Sequence, residues 1–370
     1  TELLAEQHAR TFTRLLEPLG IEPVLVTGSV ATKARRAAAA KLASTEPVLA
    51  VGTHALVQET AVFSKLGFVT IDEQHRFGVG QRAAISAKGQ TPDVLLMSAT
   101  PIPRSLALTF YGDLDVSTLD ERPAGRQPVT TVMRPESARE RVLQFVARET
   151  ANGRQAYVVY PVIEESEKTD LKAATTMYEQ LSAGPFAGRV VALIHGRVPA
   201  DEREKTMRAF RDGTIDILVS TTVIEVGIDV ANATVMLVEH PERFGLSQLH
   251  QLRGRVGRGA DASYCILLGD VGDEAAERLG IFVGTDDGFE IARADLRLRG
   301  MGNLFGEEQS GAATFRVADP VRDEELSVKA RHAAEVLLER DPDLAARENA
   351  GVRRVLASRY ARALELFRVG

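Results

Sequence analysis

The chain has 370 residues, which predicts two or three domains, each large enough to bury its own core. No apolar run is long enough to cross a bilayer, and a single cysteine excludes internal disulfides and a cysteine-based zinc site. The formal net charge is −6, so any nucleic acid must bind through local basic patches rather than an overall positive field. Composition alone favours a small-molecule enzyme.

Short β-branched apolar runs recur along the chain, each followed by a polar turn and a stretch with helical spacing. This alternation predicts parallel α/β architecture. A first block of strands is predicted at 22–27, 47–51, 68–71 and 94–97, and a second at 156–160, 190–194, 215–219, 235–238 and 264–268. We therefore divide the chain into a first domain (1–118), a proline-containing linker (119–135), a second domain (136–270) and a helical region (271–370).

The most informative local pattern is the predicted strand 68–71, which ends in Asp72-Glu73-Gln74-His75. Ligands of open parallel sheets bind beyond the carboxyl ends of strands, so both carboxylates are expected to face a crevice. Phosphoryl transfer to water needs an acid that holds magnesium and an acceptor that orients the water. Asp72 suits the first role and Glu73 the second. For Asp-Glu alone, an acidic turn without chemistry is the alternative.

The second block carries arginines between glycines in the segment 251–258. Glycines let the backbone approach a ligand closely, and guanidinium groups neutralise the charge that develops on a transferred phosphoryl group. Arg255 and Arg258 are the candidates for this catalytic role. Gln251 is a candidate for a hydrogen bond near the γ-phosphate, with an exposed helix position as the alternative.

These patterns resemble the acidic and arginine motifs of the superfamily-two helicases, and segments 1–8, 52–56, 98–104 and 221–229 resemble further motifs of that family in the expected order. The resemblance implies two RecA-like domains, with ATP and Mg²⁺ as cofactors and Asp72 as the metal ligand. It implies that Gly227 and Asp229 face the nucleotide. The residues implied to couple hydrolysis to movement are Gln74, His75, Ser98 and Thr100. The residues implied to contact or move DNA are Thr1, Thr53, His54, Arg197, Thr221, Thr222, Arg299 and Gln309.

Two stretches narrow the resemblance. Residues 75–82 and 287–300 are similar to a subgroup shared by RecG and the transcription-repair coupling translocase, and the second stretch resembles their translocation hairpin. Residues 119–131, 163–166 and 317–323 are more similar to RecG. The chain departs from RecG at Met301, where proline is common, and at Glu307 and Glu308, where a basic residue often precedes the glutamine. These departures concern the contacts of the hairpin loop.

The resemblance to RecG implies an ATP-driven translocase that remodels stalled forks and recombination junctions. Its expected partners are branched or forked double-stranded DNA and, as a further candidate, single-stranded-DNA-binding protein, with no membrane. We expect a monomer in the bacterial cytosol, associated with the nucleoid. The alternative enzyme is the motor of the transcription-repair coupling translocase. The alternative from another class is a non-catalytic DNA-binding or protein-docking module.

The sequence contains no Gly-x-x-x-x-Gly-Lys-Ser/Thr pattern. Such a loop cradles phosphates with backbone N–H groups and supplies a lysine and a magnesium-binding hydroxyl. The resemblance places this loop upstream of Thr1, together with an oligonucleotide-fold domain that grips the branch point. We therefore expect a first RecA-like domain truncated at its N-terminus, and an isolated chain that is inactive as an ATPase.

Overall fold

The computed structural model describes residues 2–28, 32–58, 60–73, 85, 88–89, 92–98, 115, 117–119, 121, 127–161, 167–221, 229–299 and 323–359. Its helices are α1 (Glu2–Leu16), α2 (Thr32–Leu42), α3 (Arg139–Ala151), α4 (Glu167–Ala183), α5 (Ala200–Arg211), α6 (Leu246–Arg253), α7 (Asp273–Gly284), α8 (Gly288–Arg299), α9 (Glu324–Arg340) and α10 (Ala350–Arg359). Its strands are β1 (Val24–Val26), β2 (Ala50–Gly52), β3 (Phe68–Ile71), β4 (Asp93–Leu96), β5 (Val129–Arg134), β6 (Gln155–Val159), β7 (Val191–Ile194), β8 (Ile217–Ser220), β9 (Ala233–Glu239) and β10 (Ser263–Leu268). None of the described helices has the length and apolar content needed to cross a membrane.

The first block consists of two parallel strand pairs, β1 with β2 and β3 with β4. Helix α1 packs against β1 and β2. Gly52 at the end of β2 lets the backbone lie close to β1, since a Cβ there would be 2.2 Å from the carbonyl oxygen of Val26. On β3 the side chains alternate, so Val69 and Ile71 are buried whereas Phe68 is 60% exposed. The β3–β4 pair therefore has one covered face and one open face.

The second block is a six-stranded parallel sheet with the order β5-β10-β9-β6-β8-β7. Helices α3 and α4 cover one face, where Val142, Val146 and Leu181 join the core. On the opposite face the ring of Tyr157 packs against Phe210 of α5, with ring centroids 4.9 Å apart. Strands β6, β8 and β9 are buried along their whole length, as expected for central strands covered on both faces. The predicted α/β class with parallel sheets is confirmed.

Strand β5 was not predicted, because residues 129–134 were assigned to the linker 119–135. In the structure β5 pairs with β10 in parallel, from Val129 beside Ser263 to Arg134 beside Leu268. β5 is an edge strand of mixed composition and only partly buried. Its sequence, Val-Thr-Thr-Val-Met-Arg, includes three polar residues and so lacks the mostly apolar run by which the other strands were predicted.

The chain divides into two compact units. One comprises residues 1–99 and 122–286 and holds both α/β blocks. The other comprises residues 100–121 and 287–370, and its described helices are α8, α9 and α10. Helix α7 falls in the first unit because it packs against α6 and β5, whereas the sequence-based division placed it in the C-terminal region.

A buried ion pair fixes the start of α3 to the end of β9. Glu239 is fully buried, and its carboxylate oxygens accept two hydrogen bonds from the guanidinium of Arg139, at 2.8 and 2.7 Å. The hydroxyl of Tyr160 donates to the same carboxylate at 3.4 Å. A buried carboxylate needs such partners, so this cluster joins α3 to the central strands.

Candidate nucleotide site

Asp72 lies directly beyond the carboxyl end of β3, as predicted. One of its oxygens, Oδ1, accepts a hydrogen bond from the N–H of Glu73 at 2.8 Å, and Oδ2 lies 3.7 Å from Nε2 of His8. The interaction with the His8 side chain is the main cause that lowers the pKa of Asp72 below its ordinary value, against the opposing effect of partial burial. Asp72 is therefore ionised at neutral pH. An ionised, partly exposed carboxylate fits the proposed magnesium ligand.

Glu73 occupies an uncommon backbone conformation, with a φ of 53°. A residue with a Cβ seldom adopts this left-handed region, and such strain clusters at functional sites. The chain therefore turns sharply where β3 ends, between the two carboxylates. Among the described residues no cluster of three or more acidic, histidine or cysteine side chains is placed to hold a metal ion. This is compatible with magnesium, which is usually held by one or two carboxylates together with water and substrate phosphates.

Arg258 and Asp229, predicted separately, lie together in the structure. The Arg258 guanidinium contacts Oδ1 of Asp229 at 3.2 Å, and its Nε donates to the carbonyl of Gly254 at 3.0 Å. Both side chains are partly exposed. The arginine is thus held at the surface by a carboxylate that was predicted to face the nucleotide.

Arg255 is buried, whereas Gln251, which lies on α6, is partly buried and Arg258 is partly exposed. The three predicted polar side chains of this motif therefore have different environments. The loop between Arg255 and Arg258 requires glycine at 257. Gly257 has a φ of +73°, and a Cβ there would lie 2.7 Å from Cγ2 of Val129 on β5.

Arg253 has a structural role that the sequence analysis did not assign. It is 4% exposed and donates to the carbonyl oxygens of Phe282 and Thr285 at 3.1 and 2.9 Å. Its guanidinium also lies 4.3 Å from the centre of the Phe282 ring and 3.4 Å from Asp286. Arg253 therefore anchors α6 to the end of α7. Each arginine of the motif has a glycine as a direct neighbour, and this pattern does not indicate which of them is buried against another helix.

Helix α1 connects the two blocks through two consecutive residues, Glu6 and Gln7. Oε1 of Glu6 accepts a hydrogen bond from Arg208 of α5 at 2.7 Å, and Oε1 of Gln7 accepts one from the backbone N–H of Asp229 at 3.2 Å. His8 faces Asp72, as described above. Consecutive helix positions are about 100° apart, which lets these side chains reach different partners. Neither interblock contact, of Glu6 or of Gln7, could be predicted from the sequence, because the partners are 202 and 222 residues away.

The remaining predicted residues lie at several loops after strands. Thr53 follows β2 and donates its N–H to Val26 at 3.2 Å, with His54 exposed beside it. Arg197 is exposed in the turn after β7, and Ser98 is exposed after β4. These four residues are thus partly or fully exposed. Thr221 is buried after β8, and Arg299 is the last residue of α8. Thr1, Gln74, His75, Thr100, Thr222, Gly227 and Gln309 lie outside the described residues.

Comparison with protein families gives three matches in chain order. Residues 1–109 match the DEAD/DEAH box helicase model, and residues 137–260 match the helicase conserved C-terminal domain. Residues 285–365 match the model for domain 3, C-terminal, of the ATP-dependent DNA helicase RecG. The chain is also 50% identical over 365 residues to the ATP-dependent DNA helicase RecG of Synechocystis sp., covering 98% of this chain and 44% of that protein. The chain belongs to the RecG-type helicases.

Two further RecG proteins are similar to this chain to about the same degree. The Bacillus subtilis RecG is 49% identical and matches 92% of this chain and 50% of its own length. The structure of a RecG bound to a three-way DNA junction is 47% identical with a TM-score of 0.72, and the match covers 88% of this chain and 42% of that one. The chain spans about half the length of the curated RecG relatives that it matches.

The two α/β blocks of this RecG-type chain are also found in more distant helicases. The helicase MrfA, in a structure bound to DNA, is 17% identical with a TM-score of 0.58 over 78% of this chain. At this identity the similarity concerns the fold alone. The prediction of two RecA-like helicase domains followed by C-terminal helices is confirmed.

Proposed function

We propose that this chain is the motor portion of an ATP-dependent translocase that acts on branched double-stranded DNA, with ATP and Mg²⁺ bound between the two α/β blocks. One observation carries the proposal. Two consecutive residues of α1, Gln7 and His8, contact Asp229 of the second block and Asp72 of the first. Helix α1 therefore contacts the acidic motif directly and the arginine motif through Asp229, whose carboxylate pairs with Arg258, as a shared nucleotide cleft requires.

Each polar residue of this cleft has a proposed task in hydrolysis. Asp72 would hold Mg²⁺, which neutralises phosphate charge when bound. Glu73 would accept a proton from the attacking water. Arg258 would exchange its carboxylate partner, Asp229, for the γ-phosphoryl oxygens as negative charge develops there. Because Arg255 is buried, we assign it one of two roles. It stabilises the arginine loop, or it binds a phosphate group that enters the cleft deeply enough to reach it.

The proposed substrate is branched DNA, because the similar RecG structure is bound to a three-way DNA junction. The net charge of −6 argues that contact is local. We propose that Thr53, His54 and Arg197 contribute to this contact, together with the hairpin segment that contains Arg299. Single-stranded-DNA-binding protein as a partner, a monomeric state and a nucleoid-associated cytosolic location belong to the same proposal.

An ATPase assay tests the proposal at two chain lengths. The 370-residue chain lacks a phosphate-binding loop pattern, so we expect turnover at background with or without forked DNA. A longer protein that carries such a loop upstream should hydrolyse ATP, and forked DNA should stimulate it. If forked DNA fails to stimulate the longer protein, the proposed function is wrong.

The absence of the loop pattern also favours a second candidate for the chain by itself, a DNA-binding module without catalysis. Fluorescence anisotropy with labelled forked and linear duplexes at fixed salt measures this directly. We expect tighter binding to the fork and a decline in affinity as salt rises. Equal, weak binding to both duplexes would contradict the proposal of a DNA-binding module.

A further inference from the structure

The contacts of α1 with the second block form two separate connections. The first is a row of alternating charges, Arg10–Glu6–Arg208–Glu204. Within it, Nη2 of Arg208 lies 2.7 Å from Glu6 and 3.1 Å from Glu204, while Arg10 lies 3.8 Å from Glu6. Glu204 is on the same helix as Arg208, whereas Glu6 is on α1. Glu6 is therefore the member of this row that joins the two blocks.

The second connection leads to the proposed catalytic arginine. The amide oxygen of Gln7 accepts the backbone N–H of Asp229 at 3.2 Å, and the carboxylate of Asp229 contacts Arg258 at 3.2 Å. The bond of Gln7 is thus to the backbone of Asp229 and not to the guanidinium of Arg258. It holds the backbone position from which Asp229 holds the guanidinium. The next residue of α1, His8, lies beside Asp72.

We propose that α1 is an interblock clip in which Glu6 and Gln7 are positioning residues. Glu6 holds α5 through Arg208. Gln7 holds Asp229, and through it fixes the distance of Arg258 from the acidic motif. The clip itself rests on the contacts above, whereas its effect on hydrolysis rests on the proposed function.

The two connections differ in their response to salt. The Glu6–Arg208 pair is partly exposed, so ions screen it, and the clip should loosen as ionic strength rises. The Gln7 amide carries no charge, so its bond to Asp229 is far less sensitive to salt. A rise in ionic strength should therefore loosen the clip as the removal of Glu6 does, but it should not reproduce the effect of removing the Gln7 hydrogen bond.

The clip can be measured in the full 370-residue chain without ATP. Cys265 is buried and is the one cysteine of the sequence, so labels can be directed to exposed positions by Thr45→Cys in the first block and Ser137→Cys in the second. The distance distribution between the labels is then recorded by single-molecule energy transfer. Glu6→Ala and Gln7→Leu should each broaden and lengthen it.

Glu204→Ala is the matched control, because it also removes one carboxylate from Arg208 but leaves the interblock contact in place. This variant should keep the original distance distribution. A double-mutant cycle of Glu6→Ala with Arg208→Ala should show that the second substitution adds little once the first is made. An unchanged distribution for Glu6→Ala, or an equal change for Glu204→Ala, would overturn the clip.

The catalytic consequence has its own readout in the longer protein that carries the phosphate loop. Gln7→Leu should lower kcat about threefold to tenfold, the effect of losing one neutral hydrogen bond. KM for ATP should change less, because the positioned arginine acts on the transition state. Gln7→Glu keeps the acceptor and should restore kcat in part. If the label distances respond but kcat does not, Gln7 has no positioning role; if even the unaltered longer protein is inactive, the proposed function fails while the clip stands.

Discussion

Arg253→Met should destabilise the second block strongly, because Arg253 is a buried anchor rather than a nucleotide ligand. Methionine keeps an apolar stem in the space but removes the donor from the carbonyl oxygens of Phe282 and Thr285, at 3.1 and 2.9 Å. Each buried acceptor that loses its donor costs about 1–3 kcal/mol. The cation–π contact with Phe282 adds about 2 kcal/mol when desolvated. Since these terms are not additive, we expect a loss of about 3–5 kcal/mol in the free energy of unfolding, as for a broken buried pair.

Arg148→Met is the matched control for this measurement. Arg148 also lies over an aromatic ring, 5.2 Å from the centre of Phe145, but its side chain is 66% exposed. Its substitution should change the free energy of unfolding by less than about 0.5 kcal/mol. The pair of variants therefore separates the effect of burial from that of losing an arginine.

Hydrogen–deuterium exchange of the central strands β6 and β9 provides the assay. Their amides are expected to exchange through the largest openings of the block, so a loss of 3–5 kcal/mol should accelerate exchange by about 10²- to 4 × 10³-fold, at about tenfold for each 1.4 kcal/mol. The Arg148 variant should exchange like the unaltered chain. If Arg253→Met exchanges normally, and in the longer protein loses nucleotide affinity instead, then Arg253 belongs to the nucleotide site and the reasoning from burial is refuted.

Three further predictions concern the longer protein that carries the phosphate loop. Arg258→Ala should lower kcat for ATP by about 10³-fold with a smaller change in nucleotide affinity, measured by steady-state hydrolysis and equilibrium binding; normal turnover would remove the catalytic assignment. Glu73→Gln should abolish hydrolysis while nucleotide binding persists, because an amide cannot accept the water's proton. Arg299→Ala should reduce fork reversal much more than DNA-stimulated hydrolysis on the same forked substrate at fixed salt. Equal loss of both activities would show that Arg299 has a structural role and does not couple hydrolysis to movement.

The parts of the fold that could be predicted were those with local causes. Central parallel strands are buried on both faces, so each leaves a continuous apolar run in the sequence, and those runs were found. Asp72 and Glu73 were predicted because a strand followed at once by two carboxylates is a local pattern. Strand β5 was missed for the opposite reason, since its six residues include Thr130, Thr131 and Arg134 and form no continuous apolar run.

The rest of the site depends on contacts between residues far apart in the chain. Arg255 and Arg258 were both predicted to be catalytic, whereas the structure buries Arg255, like Arg253, and leaves only Arg258 of these three arginines partly exposed, beside Asp229. Burial depends on what α7 and β10 bring next to the motif, which periodicity within the motif does not encode. The contact of Gln7 could not be predicted for the same reason, because its partner is 222 residues away.

The close contact of Gly257 with Val129 has a consequence for transplanting the arginine loop. The left-handed φ of +73° disfavours any side chain, and the 2.7 Å approach to Val129 means that even a methyl group would push against the edge strand. Position 257 and position 129 therefore constrain each other, although 128 residues separate them. An arginine loop grafted from another helicase should therefore fit this sheet if it keeps glycine at the position of Gly257, whereas a loop with a larger residue there would displace the edge strand.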